Sequence, residues 1–397
     1  MVKYLVEQGA DINKELEDIG ETPLFRACRS GNKNLVKYLV EQGADINKEN
    51  KNNETMLFNA CSSGNENLVK YLVEQGADIN KENKNNETIL FNACSSGKEN
   101  LVKYLVEQGA NINKERRNDG MTPLFKACGS GNKNLVKYLI EQGADVNKFT
   151  KNGSTPLFFA CRYGNYKMIQ ILIEQGADVN KSTQTGLTPL FNACEYGDYE
   201  MIKILIEQGA DVNKSTQTGL TPLFNACEYG DYEMIKILIE HGADINKESN
   251  DSDDITPLFK ACKYGDYKII KYLIEHGADV NKENKLKKTP MWYACEIGNE
   301  NTVKYLFEHG ANIFKEDENG EIPLVRAFVN GNNNLIDYFL KNDNVIKILK
   351  EIQFRIRIEE YKDHLYVKVI NIFIDLRLRF ACVCPNSSNI ENLIKKV

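Results

Sequence analysis

The chain repeats itself every 33 residues, and this period constrains its fold more than any other feature. The thirteen residues TPLFNACEYGDYE occur at 188–200 and again, letter for letter, at 221–233. The opening threonine or its equivalent recurs in ten places: Thr22, Thr55, Thr88, Thr122, Thr155, Thr188, Thr221, Thr256, Thr289 and Ile322. Such repetition predicts a solenoid, in which each copy buries its apolar face on the next.

Each copy has the signals of two short helices. Thr188 followed by Pro189 is typical of a helix start, and Gly197 of a helix end. Asp198 is placed to cap a second helix, in which apolar residues recur at helical spacing until Gly209. The polar stretch ADVNKSTQTG at 210–219 then predicts an exposed turn.

The period, the T-P-L-x-x-A opening and the G-A-D-V-N closing together resemble the ankyrin repeat family. The resemblance covers about residues 1–340 and implies an all-α fold: an ankyrin-type solenoid of stacked antiparallel helix pairs with projecting β-hairpin-like loops. We therefore expect a solenoid at 1–340, with a truncated first repeat and a degenerate, capping last repeat. Residues 341–397 form a non-repeat tail that could pack on that last repeat; within it, 344–353 looks helical and 354–360 and 365–369 alternate like strands.

The chain departs from the family where a histidine usually follows T-P-L. Phenylalanine stands there instead, at Phe25, Phe58, Phe91, Phe125, Phe158, Phe191, Phe224 and Phe259. A histidine would bridge polar groups near the loop, whereas phenylalanine offers only apolar packing. We expect the fold to tolerate this change and the polar tie between helix and loop to weaken.

Composition narrows the partner classes. The chain has 397 residues and a formal net charge of −6, which argues against nucleic acid, because phosphate binding needs a basic face. No apolar run reaches 18 residues, so membrane insertion is not expected. The first residues lack an apolar signal-peptide core, which favours the cytoplasm, with the nucleus as the alternative. We expect a monomer.

Nine of the eleven cysteines share one repeat position: Cys28, Cys61, Cys94, Cys128, Cys161, Cys194, Cys227, Cys262 and Cys295. Neighbouring copies would lie roughly 10 Å apart, too far for a disulfide, so we expect small buried residues between helices. The same spacing argues against a zinc ion shared by His241, His276 and His309, which we expect on the surface at helix ends. Cys382 and Cys384 are only a weak metal signal. The chain also lacks phosphate-binding and hydrolase motifs, so no metal, cofactor or enzymatic activity is predicted.

The resemblance implies that a partner protein binds the concave face made by the first helices and loop tips. Two positions after Ala-Cys change along the chain, from small pairs such as Ser62-Ser63 to pairs that end in tyrosine. Tyrosine suits binding hot spots because it combines a large contact area with few rotatable bonds. The candidate partner-binding residues are Tyr163, Tyr196, Tyr229, Tyr264, Trp292, Glu195, Glu228, Arg162 and Lys263. The alternative is that these tyrosines only cover the helix–loop junction.

Two further patterns concern the same surface. A second tyrosine series begins the second helices and is expected to pack in the core: Tyr166, Tyr199, Tyr232 and Tyr267. The loop tips at 249–255 and 285–288 carry opposite charges, and could orient a charged partner or could simply be solvated.

We conclude from the sequence that this is a protein–protein interaction scaffold or adaptor. The alternative is the recognition or regulatory arm of a larger enzyme, such as a ubiquitin ligase or kinase, whose catalytic part is absent from this chain. A structural spacer is a third option, since residues 47–79 and 80–112 differ at only three positions. The chain begins inside a repeat, where the cut would leave Val2, Leu5 and Val6 partly bare. Either the protein is longer or this end is frayed, and we expect a fragment of a longer repeat protein.

Overall fold

The computed structural model describes residues 2–250, 255–329 and 333–349, and this part of the chain is helical, without a β-strand. The predicted all-α repeat fold is confirmed. The chain divides between Lys214 and Ser215 into two compact units, which we describe separately. The predicted strands, the Cys382–Cys384 pair and acidic residues 251–254 lie outside the described residues. The predicted boundary between 340 and 341 stays a prediction.

The first unit begins with a single helix, α1, which is equivalent to the second helix of a pair. Six helix pairs follow it. Its helices are α1 (Val2–Glu7), α2 (Pro23–Arg29), α3 (Lys33–Glu41), α4 (Met56–Ser62), α5 (Glu66–Glu74), α6 (Ile89–Ser96), α7 (Glu99–Glu107), α8 (Pro123–Ser130), α9 (Lys133–Glu141), α10 (Pro156–Arg162), α11 (Tyr166–Glu174), α12 (Pro189–Glu195) and α13 (Tyr199–Glu207). The even-numbered first helices α2 to α12 pack side by side, and each is joined to the second helix that follows it.

The second unit repeats the same pairing. Its helices are α14 (Pro222–Tyr229), α15 (Tyr232–Glu240), α16 (Pro257–Tyr264), α17 (Tyr267–Glu275), α18 (Pro290–Ile297), α19 (Glu300–Glu308), α20 (Pro323–Val329) and α21 (Asn333–Leu340). First helices α14, α16, α18 and α20 form one layer and second helices α15, α17, α19 and α21 the other. Residues 343–349 are also helical, as expected for the start of the tail.

Asparagine or aspartate caps the second helices, as the sequence predicts. The Asp198 carboxylate accepts a hydrogen bond from the backbone N–H of Met201 at 3.1 Å. Equivalent caps come from Asn32, Asn65, Asn132, Asn165, Asp231, Asp266 and Asn299. Lys98 stands at this position in α7 and makes no such bond, because an ammonium group cannot accept one.

The threonine before each first helix caps it less often than the sequence predicts. Thr155 and Thr188 accept a bond from the backbone N–H three residues on. The hydroxyl groups of five other threonines are buried without a hydrogen-bond partner: Thr22, Thr55, Thr88, Thr221 and Thr289.

The core is one apolar residue set repeated in every pair. In first helices α2 to α16, Leu, Phe, Ala and Cys pack with two or three apolar residues of the second helix, and nearly all are fully buried. The prediction that the nine repeated cysteines are small core residues is confirmed, because every one of them is buried. Burial disfavours the thiolate and raises the pKa of Cys28, Cys128 and Cys161 to about 12.

An asparagine in each closing turn ties it to the next repeat. In Asn147, the amide nitrogen donates to the carbonyl of Gly176 at 2.9 Å, and the amide oxygen accepts from the backbone N–H of Asp178 at 2.7 Å. The same pair of bonds is made by Asn13, Asn47, Asn80, Asn113 and Asn180 in the first unit and by Asn246 and Asn281 in the second. We call this series the amide ladder. Phe314 occupies the next such position and cannot extend it.

The hairpin-like loops of the first unit are also joined through their backbones. Lys84 N–H donates to the carbonyl of Asn52 at 2.9 Å, and Arg117 N–H to that of Asn85 at 2.7 Å. At the start of the unit, α1 buries none of its residues. Val2 and Leu5 are 37% and 49% exposed, whereas the equivalent Leu39 of α3 is 1% exposed.

Candidate functional site

Four tyrosines from one repeat position project from the ends of first helices. Tyr163 and Tyr196 are C-cap residues of α10 and α12, and Tyr229 and Tyr264 end α14 and α16. A glycine with positive φ follows each of them, at Gly164, Gly197, Gly230 and Gly265, and turns the chain away towards the second helix. The four side chains are 53–70% exposed, so most of each ring is accessible.

The charged neighbours of these tyrosines are exposed as well. Arg162, Glu195, Glu228 and Lys263 immediately precede them and lie on the surface. In the second unit, Glu228 accepts from Lys260 Nζ at 3.3 Å and from the Tyr264 hydroxyl at 3.2 Å. The polar tip of Tyr264 is therefore already bonded, and it is mainly the ring that remains for a partner.

Trp292 does not lie on this surface. It is 2% exposed because it occupies, in α18, the repeat position that phenylalanine fills in the eight preceding copies. Its ring lies between two cations, with Lys288 Nζ 3.5 Å and the Arg326 guanidinium 4.8 Å from the ring centroid. We therefore remove Trp292 from the candidate site and assign it to the core.

The second tyrosine series is more exposed than expected. Tyr166, Tyr199 and Tyr267 are 37–40% exposed, so the expectation of a core position was wrong for them. Tyr166 is the first residue of α11, and its hydroxyl reaches the residue that caps α13 in the next pair. The Tyr166 hydroxyl donates to the Asp198 carboxylate at 2.8 Å, and this bond raises the pKa of Tyr166.

The first unit contains a cleft that the sequence reading missed. It measures about 600 Å³ and opens between first helices α6, α8 and α10. We call it the Lys126 cleft and define it by Ser95, Met121, Lys126, Gly129, Phe159 and Tyr163. A second cleft of about 390 Å³ adjoins it and shares Ser95 and Lys126. Of the expected site residues, only Tyr163 lines these clefts.

Small side chains open the cleft and aromatic side chains form its wall. A Cβ atom added at Gly129 would meet nothing within 4 Å, so the space above this residue is open. On one side, the Phe159 ring packs edge-on against Phe125 with centroids 5.3 Å apart, and the Tyr163 ring lies 6.4 Å from Phe159. The cleft thus has an apolar wall, formed by Phe159 and Tyr163, beside the open space above Gly129, which we call its floor. This arrangement suits an inserted side chain.

Arg116 lies at the loop side of the cleft, where its charge is already neutralised. Its guanidinium donates to the Asp119 carboxylate and lies 3.2 Å from Glu87 Oε1. The same bonds hold the pKa of Asp119 below its usual range. Alignment of the repeats could have revealed this cleft, since Phe159 and Gly129 both depart from the residues at their repeat positions.

The histidines and cysteines do not assemble a reactive site in the residues described. His241, His276 and His309 are exposed C-cap residues, as expected, and each directs Nδ1 at a carbonyl oxygen one turn back at 2.7–2.8 Å. Within 2–250, 255–329 and 333–349, no three His, Cys, Asp or Glu residues are grouped so as to hold a metal ion. Nor does this part contain a helix long and apolar enough to cross a bilayer.

Stacked helix pairs joined by an asparagine ladder, with varied side chains on the first-helix surface, define a repeat protein of the binding type. The family model for ankyrin repeats, described as three copies, matches residues 1–83, 43–116, 79–150, 142–216, 190–284 and 258–350. The chain therefore belongs to the ankyrin repeat family. Ankyrin repeats are generally protein–protein interaction modules and are typically non-catalytic. No curated protein matches the chain at a significant level.

Proposed function

We propose that the chain is a scaffold or adaptor that binds a partner protein through the surface of its first helices and its loop tips. The observation that carries this proposal is the exposure of Tyr163, Tyr196, Tyr229 and Tyr264, which are 53–70% accessible. Large aromatic side chains are costly to leave in water, and they supply much of the binding energy in protein interfaces. Each unit contributes two of them, with a charged residue beside each one.

The proposal includes a monomeric chain in the cytoplasm, with no nucleic acid, cofactor or reaction involved. All nine repeated thiols are buried and free, so the chain uses cysteine as a core residue and not for disulfides. This use of cysteine as a core residue supports a reducing environment.

Affinity capture from a lysate of the source cells, followed by mass spectrometry, tests the proposal. The wild type is compared with a variant in which Tyr163, Tyr196, Tyr229 and Tyr264 are all changed to alanine. The matched control changes four exposed residues at one second-helix position to alanine: Gln170, Lys203, Lys236 and Lys271.

We expect the tyrosine variant to lose specific partners that the control variant retains, while both keep the helical circular dichroism of the wild type. If the folded tyrosine variant captures the same proteins as the wild type, this surface is not the binding surface and the proposal is wrong.

A further inference from the structure

Cations recur at one position of the first helices, four residues after the opening threonine or its equivalent. They are Arg26, Lys126, Lys260 and Arg326. Three of the four are paired with a carboxylate of the chain: Arg26 with Glu21 at 3.1 Å, Lys260 with Glu228 at 3.3 Å and Arg326 with Glu321 at 2.7 Å. Lys126 makes no ion pair or side-chain hydrogen bond with any residue that the structure describes.

The missing partner of Lys126 can be traced to two substitutions. Glu21 and Glu321 stand directly before the opening position of their repeats, and Met121 stands there in the repeat of Lys126. Glu228 comes from the repeat that precedes the one containing Lys260. In the repeat that precedes the one containing Lys126, the equivalent residue is Ser95. Both places from which the chain elsewhere supplies a carboxylate are therefore without one, and both line the Lys126 cleft. Glu87 lines the adjoining cleft together with Lys126, but its carboxylate is paired with Arg116 at 3.2 Å.

We propose that the Lys126 cleft binds an extended peptide segment of a partner, which places a carboxylate against Lys126 and an apolar side chain against Phe159 and Tyr163. This inference rests on the proposed function and specifies the chemistry of the partner. An ion pair between Lys126 and a carboxylate would reproduce the contacts of Arg26 and Arg326. The cleft of about 600 Å³ has room for a large side chain beside it.

Neighbouring repeats show why the segment binds here. At the repeat position of Gly129, the two preceding repeats have the small residues Ser62 and Ser95. The two repeats that follow have the large residues Arg162 and Glu195. The series of small residues thus ends at Gly129, and Arg162 follows it in the repeat that supplies Phe159 and Tyr163. A peptide lying along the small residues would meet Lys126 and then Phe159.

The test is selection of a phage-displayed library of random 12-residue peptides on the full chain, followed by affinity measurement with synthetic versions of the enriched peptides. We expect an acidic residue near an aromatic or large aliphatic one in the enriched sequences. Peptides with a free or an amidated C-terminus distinguish a terminal carboxylate from a side-chain carboxylate.

Three variants use residues that the chain itself places at these positions. Lys126→Asn, as in Asn92, removes the cation; Met121→Glu, as in Glu21, supplies an internal partner; and Gly129→Arg, as in Arg162, fills the floor. Each should weaken binding of the enriched peptides by about tenfold or more. Gln170→Ala changes an exposed second-helix residue outside the cleft and serves as the control, with affinity within about twofold of the wild type.

Selection that yields no peptide, peptides without acidic residues, or unchanged affinity for Lys126→Asn and Met121→Glu would each overturn the inference. The proposed function is judged independently by the capture experiment. Partners lost in the four-tyrosine variant but unaffected by Lys126→Asn would leave that function standing and refute only the cleft.

Discussion

The loop edge and the first-helix surface of residues 1–214 are built from the same repeats, yet they vary very differently. Along the loop edge, one asparagine makes the same two bonds from Asn13 to Asn180. On the helix surface, the residue four after the opening threonine is successively Arg26, Asn59, Asn92, Lys126, Phe159 and Asn192. A side chain that binds the backbone of the next repeat meets the same groups in every copy, whereas the residue at this first-helix position has different side-chain neighbours from copy to copy.

The largest loss of stability should come from removing an asparagine of the amide ladder. Asn147→Ala removes the hydrogen bonds to Gly176 and Asp178, and it should lower the free energy of unfolding by about 1–3 kcal/mol. Urea denaturation measures the change. The control is the same substitution on the helix surface, Asn59→Ala, which should stay within about 0.5 kcal/mol of the wild type. An equal loss of stability in Asn147→Ala and Asn59→Ala would contradict the contrast between the loop edge and the first-helix surface.

Replacing the threonine before a first helix with valine should stabilise the chain in one repeat and destabilise it in another. Thr55→Val replaces a buried hydroxyl that has no hydrogen-bond partner, and should stabilise the chain by about 1 kcal/mol or more. Thr155→Val removes a helix cap to Phe158 and should destabilise it by about 1 kcal/mol. Thermal unfolding of both variants provides the comparison, and a shift in the same direction for both would show that the capping bond has no role.

A smaller gain is expected at the cap of α7. The repeats at 47–79 and 80–112 are nearly identical, but Asn65 caps α5 whereas Lys98 leaves α7 without a side-chain cap. Lys98→Asn should therefore raise the free energy of unfolding by about 0.5–1 kcal/mol, and Asn65→Lys should lower it by a similar amount. Chemical denaturation of the matched pair decides this, and a gain in both variants would point to a cause other than capping.

The smallest loss of stability is expected from removing an ion pair between neighbouring loops, next to the amide ladder. Lys114 pairs with Glu82, and similar pairs join Lys48 to Glu15 and Lys81 to Glu49. The three carboxylates are substantially exposed, so Glu82→Gln should cost less than about 0.5 kcal/mol, and the difference should shrink in high salt. A loss as large as that of Asn147→Ala would mean that the charges, rather than the amides, join the loops.

Position within the repeat predicted much of this fold from the sequence. The helix pairs, the burial of the cysteines and the caps at residues such as Asp198 follow from the period, since equivalent residues have equivalent surroundings. The same reasoning should have placed Trp292 in the core, because it stands at the phenylalanine position.

The site was less predictable because it depends on pairs of residues from neighbouring repeats. The isolation of Lys126 follows from Met121 in its own repeat and Ser95 in the preceding one, and neither residue attracts notice alone. Likewise, Tyr166 is half-exposed because its hydroxyl reaches Asp198 in the next pair. Such relations require the distance between two side chains, which the repeat period does not give.

The cysteines give this protein an internal set of chemical reporters. One thiol lies in the core of each consecutive pair from Cys28 to Cys295, and burial suppresses its thiolate, the form that reacts. An alkylating reagent will therefore label a given cysteine only when its own stretch of helices opens. Mass spectrometry of the labelled peptides would then record, copy by copy, whether the solenoid frays from an end or opens in the middle. No engineered probe would be needed for that map.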